Sequence, residues 1–209
     1  MKKENVLVAG ANGTTGRIII DLLKQSNNYN PVAMVRSSEQ KEEFENNNVT
    51  TILADLEKDL TQTTNNMQKV IFAAGSKGKN VIGVDQEGAK KLTDAAKNSE
   101  ISKFVMLSSM GADNPSDSED LKEYLQAKQN ADEYLKTKGI NYSIVRPGAL
   151  TNNAASGKIK LEQKLNEKGE ISRPDVAKTL VEVLDDKVRH NETFEILAGD
   201  TEIEKAVRS

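Results

Sequence analysis

The chain alternates short apolar runs with longer segments whose apolar residues recur every three or four positions. The short runs are typical of buried strands, and the longer segments are typical of amphipathic helices. This alternation predicts an α/β fold with a doubly wound, mainly parallel sheet. The predicted strands are Asn5–Ala9, Tyr29–Val35, Thr50–Leu53, Lys69–Phe72, Lys103–Leu107, Asn141–Val145 and Glu192–Ile196. The predicted helices are Thr15–Gln25, Glu39–Asn46, a short one near Asp59–Thr64, Gly83–Asn98, Leu121–Lys138 and Arg173–Leu184.

The length of the chain, 209 residues, suits one domain with a sizeable core. Parallel strands place their carboxyl ends along one edge of a sheet, so functional residues are expected directly after strands. The segment Thr151–Lys168 is polar and weakly periodic, which is typical either of a flap over a site or of a surface loop. We expect a single domain over residues 1–209, with residues 146–175 contributing the substrate-side flap.

The first predicted turn is the most informative segment, because three glycines spaced three apart lie between a strand and a helix. Glycine lets the backbone approach a pyrophosphate closely, and the N–H groups at the start of the helix favour the anion. A glycine triplet alone also occurs in ordinary tight turns, but this position in an alternating chain favours a bound nucleotide. The candidate residues in this turn are Gly10, Asn12, Gly13, Thr14, Thr15 and Gly16.

The end of the second strand indicates which dinucleotide is bound. This strand ends in Arg36-Ser37-Ser38, without the carboxylate that holds the ribose 2′-hydroxyl in NAD-binding versions of this unit. An arginine can pair with a 2′-phosphate through two hydrogen bonds. The sequence therefore predicts NADP, with NAD as the alternative and an ordinary surface arginine as the other interpretation of Arg36. Asp55, with Leu56 beside it, can accept a hydrogen bond from the adenine amino group or serve as a loop residue.

The fourth predicted strand ends in the small residues Ala73, Ala74, Gly75 and Ser76. Small residues at a strand end leave room for a ribose and a pyridine ring, although a glycine turn alone would have the same composition. The position, after a strand that should neighbour the first one, is the one expected for a cofactor contact.

A tyrosine and a lysine on one helix face are the main catalytic candidates. Lys128 lies on the apolar face of the predicted helix Leu121–Lys138, four residues after Tyr124. An inward lysine needs an anionic or strongly polar partner, and its ammonium group favours the tyrosinate form of a neighbouring tyrosine. The alternative is a lysine extended along the helix edge and a tyrosine in core packing. A serine at the end of the preceding strand, Ser109 or Ser108, would complete a Ser–Tyr–Lys arrangement that places and protonates a carbonyl oxygen.

Composition narrows the chemistry further. The chain has no cysteine, which excludes disulfides, thiol nucleophiles and thiolate metal sites. The single histidine, His190, is expected at the surface, so no metal site and no serine–histidine triad is expected. A net charge of −3 without a basic run argues against nucleic acid as a partner. We find neither a secretory signal nor an apolar run of the roughly 20 residues that cross a bilayer. We expect a cytoplasmic protein with a small-molecule substrate, and the oligomeric state stays open.

Five segments together resemble the atypical short-chain dehydrogenases/reductases, in their NAD(P)-binding, NmrA-like branch. That branch is also similar to flavin reductases, to biliverdin reductase B proteins and to small epimerase-like proteins. The resemblance spans nearly the whole chain. It is carried by Gly10–Gly16, by Val84–Lys90 leading to Asp94–Lys97, by Phe104–Ser109, by Tyr124–Lys128 and by Tyr142–Leu150.

The resemblance implies a Rossmann-like sheet and a bound dinucleotide. It implies that the glycine turn holds the pyrophosphate and that the segment Ala73–Ser76 and Lys128 contact the ribose. It also implies that Pro147, Gly148 and Leu150 lie by the nicotinamide. Ser109 matches the active-site serine of the family, with Ser108 as the alternative and as a cofactor contact. One departure is Met110, which stands where many extended members keep a catalytic hydroxyl. The family keeps the tyrosine–lysine pair unevenly, and some members only sense the cofactor ratio.

These observations predict an NADP(H)-dependent oxidoreductase that transfers hydride to a small carbonyl, quinone or flavin acceptor. Ser109, Tyr124 and Lys128 are its expected catalytic residues. The alternative is a catalytically weak NADP-binding redox sensor or partner-binding protein. A sugar-nucleotide epimerase is less favoured, because full members of that group add a substantial C-terminal substrate region and only residues 148–209 follow Pro147 here.

Overall fold

The computed structural model of the chain describes residues 2–76 and 78–209. Its strands are β1 (Glu4–Ala9), β2 (Tyr29–Val35), β3 (Thr50–Leu53), β4 (Lys69–Phe72), β5 (Lys103–Leu107), β6 (Tyr142–Pro147), β7 (Ala149–Thr151), β8 (Lys158–Glu162), β9 (Glu170–Ser172), β10 (Glu192–Ala198) and β11 (Thr201–Glu202). Its α-helices are α1 (Thr14–Gln25), α2 (Ser38–Asn46), α3 (Ala89–Asn98), α4 (Lys122–Lys136), α5 (Arg173–Glu182) and α6 (Ile203–Arg208). A π-helix, Val81–Gly88, runs directly into α3, and a 3-10 turn covers Pro115–Asp117.

Nine of the strands form one sheet in the order β11-β8-β10-β6-β5-β4-β1-β2-β3. All neighbours in it are parallel except β8, which runs antiparallel to β10 and β11. The predicted α/β class with a doubly wound, mainly parallel sheet is therefore confirmed. The chain order reverses between β4 and β1, and this switch point is where such sheets bind ligands. In register, Ala9 pairs with Met34 and Phe72, and Phe72 pairs with Met106, so the carboxyl ends of these strands are level.

Helices cover both faces of the sheet, and successive residues of β1 contribute to different faces. Val6 and Val8 pack in the cluster that includes the buried residues of α1 and α5. Leu7 and Ala9 pack in the cluster that includes those of α3 and α4. This follows from the alternation of side chains along a strand, and burial on both faces explains why β1 is apolar throughout.

The seven predicted strands are present, with shifts of one or two residues at their ends. The predicted helix near Asp59–Thr64 is wrong, because this segment forms turns. The carboxylate of Asp59 accepts hydrogen bonds from the backbone N–H and hydroxyl of Thr61, and the hydroxyl of Thr63 donates to the carbonyl of Leu60 at 2.6 Å. Such local side-chain bonds offer the backbone an alternative to the helix.

The segment Thr151–Lys168 was expected to be a flap or a loop, and this expectation is wrong for part of it. Lys158–Glu162 is β8, a strand of the main sheet, with Ile159 fully buried. The flanking strands β7 and β9 pair with each other in the small second sheet. The role of residues 146–175 as a substrate-side flap stays a prediction. In the described part of the chain, no helix combines the length and apolarity that crossing a membrane requires.

Candidate functional site

The glycine turn between β1 and α1 forms the floor of the candidate site at the switch point. Gly10 has a φ of +84°, a conformation that favours glycine. A Cβ atom at Gly10 would lie 2.6 Å from the backbone of Ala74, and one at Gly16 would lie 2.1 Å from the carbonyl oxygen of Gly10. The end of β1, the start of α1 and the end of β4 therefore approach each other more closely than a residue with a Cβ atom would allow.

Helix α1 begins without a side-chain cap, because Gly13 is its N-cap residue. The first N–H groups of a helix have no acceptor within the helix and carry its positive dipole end. Here they open onto the carboxyl edge of the sheet beside β4. A cradle of glycine backbone with uncapped amides fits a pyrophosphate, as predicted for Gly10 to Gly16. Thr15 is buried in this turn, and Asn12, Gly13 and Thr14 are exposed.

The side chain of Arg17 connects the glycine turn to helix α2. Its Nη2 atom donates to the side-chain oxygen of Asn12, and its two terminal nitrogens lie 2.6 and 2.9 Å from the carboxylate oxygens of Glu43 on α2. The guanidinium carbon also lies 5.3 Å from the ring centroid of Phe44. Sequence reasoning did not single out Arg17, although its position directly after the third glycine was visible.

Arg36 follows β2 with an exposed side chain. Its guanidinium group makes no hydrogen bond or ion pair to the residues that the structure describes, so it is available to a ligand. Ser37 caps α2 by accepting from the N–H of Gln40 at 3.3 Å. Asp55 accepts from the N–H of Glu57 at 3.0 Å, which is a loop-forming role. Leu56 packs against the last residue of the π-helix. A Cβ atom at Gly88 would lie 2.8 Å from the Cβ atom of Leu56.

The end of β4 carries a buried polar group that the sequence interpretation missed. Ala73 continues the pairing with β1 through its N–H and the carbonyl of Ala9. The N–H of Ser76 then donates to Oδ2 of Asp85 at 2.9 Å. Asp85 lies on the π-helix with 1% of its surface exposed. Asp85 lies on the same apolar helix face as Ala89 and Leu92. An acidic residue on such a face could have predicted a buried polar group, as the same pattern did for Lys128.

Lys128 is the partner of Asp85. Its Nζ atom lies 3.3 Å from Oδ1 of Asp85 and donates to the carbonyl of Leu107 at 3.4 Å. Only 4% of Lys128 is exposed, so the prediction that it faces inward is confirmed. Burial alone would lower the pKa of this ammonium group, but Tyr124 and Asp85 outweigh burial, and its pKa is raised.

Tyr124 stands over this ion pair. The Nζ atom of Lys128 lies 5.5 Å from the centroid of the Tyr124 ring, one helical turn away on the same face of α4. Tyr124 is half-buried, and its hydroxyl makes no hydrogen bond to the described residues. Leu121, the first residue of the predicted helix Leu121–Lys138, instead precedes α4 and is 53% exposed.

The two serines after β5 differ in orientation. Ser108 is buried, and its hydroxyl donates to Oδ2 of Asp132 at 2.8 Å. Arg146 donates to the same oxygen from two nitrogens, at 3.0 and 2.9 Å. Burial raises the pKa of the Asp132 carboxyl group, although Arg146 and Ser108 oppose that shift. Ser109 is half-buried, and its hydroxyl donates only to the carbonyl of Met110 at 3.2 Å among the described contacts.

The residues after β6 complete this edge. The carbonyl of Pro147 accepts from the N–H of Met110, which ties the β5 and β6 ends together. A Cβ atom at Gly148 would lie 2.4 Å from the carbonyl oxygen of Gly169, so the chain there is closely packed. Leu150 is half-buried on β7, and its carbonyl accepts from Arg173 at 3.2 Å.

The residues present fit a dinucleotide on three observations. The glycine cradle excludes a Cβ atom, the first amides of α1 are uncapped, and the buried Oγ atom of Ser76 has no hydrogen-bond partner among the described residues. In the buried polar network of a protein, such groups are normally satisfied by protein, water or ligand. All three features lie at the carboxyl edge of the sheet, around the switch point.

Comparison with known proteins agrees with this geometry. A family model described as NAD(P)H-binding matches residues 10–187. The Bacillus subtilis protein YhfK, which carries the name of an uncharacterized sugar epimerase, is 36% identical over 211 residues, covering 97% of this chain and 98% of that protein.

Two solved structures share the fold over nearly their full length. One, from Bacillus halodurans, is provisionally described as an NAD-dependent epimerase/dehydratase; it has a TM-score of 0.93 at 37% identity, covering 98% of both chains. The other is the oxidoreductase ylbE of Lactococcus lactis, with a TM-score of 0.87 at 28% identity, covering 97% of this chain and 94% of that one. The expected nicotinamide dinucleotide cofactor is thereby confirmed as NAD(P)H. The chain therefore belongs to the NAD(P)H-binding family, with the Rossmann-like fold of the similar proteins whose structures are solved.

Proposed function

We propose that the protein is an NADPH-dependent reductase that acts on a small carbonyl, quinone or flavin acceptor. The observation that carries this proposal is the buried Asp85–Lys128 pair beside Tyr124, whose hydroxyl has no hydrogen-bond partner in the part of the chain that the structure describes. A buried ion pair contributes little net stability, because desolvating the charges offsets their attraction. Its position beside the cofactor edge therefore supports a chemical role more than a structural one.

The proposed roles follow from what each side chain contacts. When bound, NADPH supplies the hydride. Tyr124 donates a proton to the oxygen of a carbonyl acceptor, and the Lys128 ammonium group stabilises the tyrosinate that remains. Asp85 keeps Lys128 charged and in place. Ser109, whose hydroxyl donates to the neighbouring carbonyl of Met110, reorients to hold the acceptor oxygen. The Ser108 hydroxyl donates to Asp132, and this hydrogen bond fixes the position of the chain directly after β5.

The choice of NADPH over NADH rests on Arg36. Its side chain is exposed at the end of β2 and has no acidic partner in the described part of the chain. A guanidinium group at this position suits a 2′-phosphate, and the three residues directly after β2, Arg36 to Ser38, include no carboxylate to receive a 2′-hydroxyl.

A panel of acceptors tests the proposed reaction. We expect wild-type protein to oxidise NADPH with at least one carbonyl, quinone or flavin compound. With a carbonyl acceptor, Tyr124→Phe should lower kcat about 10²- to 10⁴-fold, the usual contribution of a positioned acid. Tyr134→Phe is the matched control, because Tyr134 is a half-buried tyrosine of the same helix whose hydroxyl donates to Asp94 on α3. Unchanged turnover in Tyr124→Phe with a carbonyl would exclude the acid role.

A flavin acceptor gives a different result, because hydride transfer to a flavin needs no proton from Tyr124. Turnover with flavin that survives Tyr124→Phe therefore assigns the protein as a flavin reductase. Tight dinucleotide binding without turnover on any acceptor would assign the redox-sensor role instead.

A sugar-nucleotide epimerase is the second candidate, favoured by the names of YhfK and of the Bacillus halodurans protein. An epimerase oxidises and re-reduces one substrate, so it releases no net NADP(H). Conversion of a nucleoside-diphosphate sugar to its epimer, with bound cofactor unchanged in amount, would support this candidate against the reductase.

A further inference from the structure

The tip of the glycine turn carries the single Asn-Gly pair of the chain, Asn12-Gly13. An asparagine before glycine is prone to deamidation, because glycine lacks the Cβ atom that would hinder attack of its backbone nitrogen on the side-chain carbonyl carbon. Both residues are exposed at the surface of the turn. This places a chemically labile bond within the predicted pyrophosphate seat.

The surroundings of Asn12 favour that attack. Nη2 of Arg17 donates to Oδ1 of Asn12, and Arg17 is itself held by both carboxylate oxygens of Glu43. A cation on the carbonyl oxygen draws electron density from Cγ and stabilises the oxyanion that forms when Cγ is attacked. The Nδ2 amino group of Asn12 makes no hydrogen bond within the described residues, so nothing there retains it as a leaving group.

One contact opposes the reaction. The N–H of Gly13 donates to the carbonyl of Gly10 at 2.9 Å, and this bond must open before the nitrogen can reach Cγ. A pyrophosphate bound across the turn would hold the turn closed. The reaction is therefore slower in the folded protein than in a free peptide of the same sequence, and slower still when the dinucleotide is bound.

We propose that Asn12 is a deamidation site whose conversion is controlled by occupancy of the dinucleotide site. The Gly13 nitrogen gives up its proton to water and forms a bond to Cγ of Asn12. The Cγ–Nδ2 bond then breaks, and the Nδ2 group takes up a proton from water and leaves as ammonia. Water then opens the resulting succinimide at either carbonyl, giving an aspartate or an isoaspartate. No oxidant or reductant takes part. Dinucleotide binding at the glycine turn is a property of the family. The control of deamidation by occupancy rests on that binding and on the position of Asn12 in the turn.

The product changes the site more than the fold. A carboxylate at residue 12 lies beside the first amides of α1, where a negative charge stabilises a helix. It also competes with the pyrophosphate for those amides and repels it. Conversion therefore yields a folded protein that binds dinucleotide weakly. By linkage, a ligand that binds the unmodified form better protects that form.

The experiment follows the wild-type protein in mildly alkaline buffer, with and without saturating NADP⁺, by peptide mass mapping and isoaspartate detection. We expect Asn12 to convert faster than the other asparagines without ligand, and several-fold more slowly with NADP⁺. Arg17→Met should slow conversion in the ligand-free protein. Asn12→Asp should bind NADP⁺ about tenfold more weakly, from one added like charge near the phosphates, with a thermal stability no lower than that of the wild type.

The matched control is Asn28→Asp, which adds the same charge at the exposed opposite end of β2 and should leave NADP⁺ affinity unchanged. An intact Asn12 after other asparagines have converted would overturn the proposal, and so would equal conversion with NADP⁺ shown to be bound by calorimetry. If calorimetry detects no NADP⁺ binding, the proposed reductase fails. The ligand-free conversion of Asn12 and the effect of Arg17→Met still decide whether the modification site is correct.

Discussion

The Nζ atom of Lys128 lies 3.3 Å from Oδ1 of Asp85, and both side chains are almost completely excluded from solvent. The two oppositely charged groups form a buried ion pair. The other oxygen of Asp85 receives the N–H of Ser76 at the end of β4. Asp85 thus connects the end of β4 to the helix that carries Tyr124, and the two sides of the candidate site depend on one carboxylate.

Removing one member of this pair should destabilise the protein strongly. Asp85→Ala leaves a buried ammonium group without a counter-ion, which costs about 3–5 kcal/mol of the free energy of unfolding. The double variant Asp85→Leu with Lys128→Met removes both charges and should unfold near the wild-type midpoint. Urea denaturation measures both. The exposed pair Lys136–Glu133 is the control, and its removal should change stability little. An equal loss of unfolding free energy in the single and double variants would contradict this account.

A methyl group at Gly10 should disrupt the turn on two grounds. The positive φ costs a non-glycine residue about 1–2 kcal/mol, and the overlap with the backbone of Ala74 adds about 1–3 kcal/mol. Gly139→Ala isolates the first effect, because Gly139 has a φ of +67° and only the end of the Lys97 side chain nearby, at 3.8 Å. Thermal unfolding should show a clearly larger loss for Gly10→Ala. Similar losses for both variants would mean that the close approach to Ala74 is absent.

Lys103 should make stability rise with pH between about 8 and 10. Burial lowers the pKa of its ammonium group from 10.5 to about 8. In this range the unfolded chain binds the proton and the folded chain has lost it, so the free energy of unfolding increases with pH. Lys103→Met should remove that increase. The test subtracts the unfolding free energies of the variant from those of the wild type at several pH values. A difference that is flat or falls with pH would contradict the prediction.

Tyr29 should act in the opposite direction at higher pH. Burial, aided by Glu4 and other acidic neighbours, raises the pKa of its phenol from 10.0 to about 12. Above pH 10 the folded chain retains a proton that the unfolded chain has lost, so stability falls with rising pH. Tyr29→Phe should reduce this fall in the same denaturation series. If the free energy of unfolding of Tyr29→Phe falls as steeply above pH 10 as that of the wild type, the phenol is not the cause.

Arg36 should determine the preference between the two dinucleotides. Arg36→Ala removes charged hydrogen bonds to a 2′-phosphate and should weaken NADP⁺ about ten- to hundredfold, with NAD⁺ affinity nearly unchanged. Lys41→Ala, on the exposed side of α2, is the control for loss of a positive charge nearby. Calorimetric titration of each variant with each dinucleotide gives the four ratios. Equal weakening of NADP⁺ and NAD⁺ by Arg36→Ala would refute the assignment.

The sequence predicted the parts of the fold that depend on strong local patterns. Strands β1, β4, β5 and β6 are short runs that are mostly buried on both faces, and the glycine turn lies between a strand and a helix at the start of an alternating chain. The inward position of Lys128 also followed from its place on an apolar stripe. These features depend on residues close together in the chain.

The parts that were missed depend on distant contacts. Strand β8 has only Ile159 and Leu161 as alternating apolar residues, and it forms because β10 and β11 pair with it. Asp85 meets Lys128 across two separate helices, and hydrophobic periodicity of 3.6 does not distinguish the π-helix of residues 81–88 from an α-helix. The orientation of Ser108 toward Asp132 and Arg146 depends on three separate elements.

The crystal structure of the complex with NADP⁺ tests the central claim most directly. We predict the pyrophosphate within hydrogen-bond distance of the first amides of α1, the 2′-phosphate on Arg36, and the nicotinamide between Ser109 and Tyr124. A dinucleotide bound elsewhere, or a nicotinamide that points away from Tyr124, would contradict the proposed reductase.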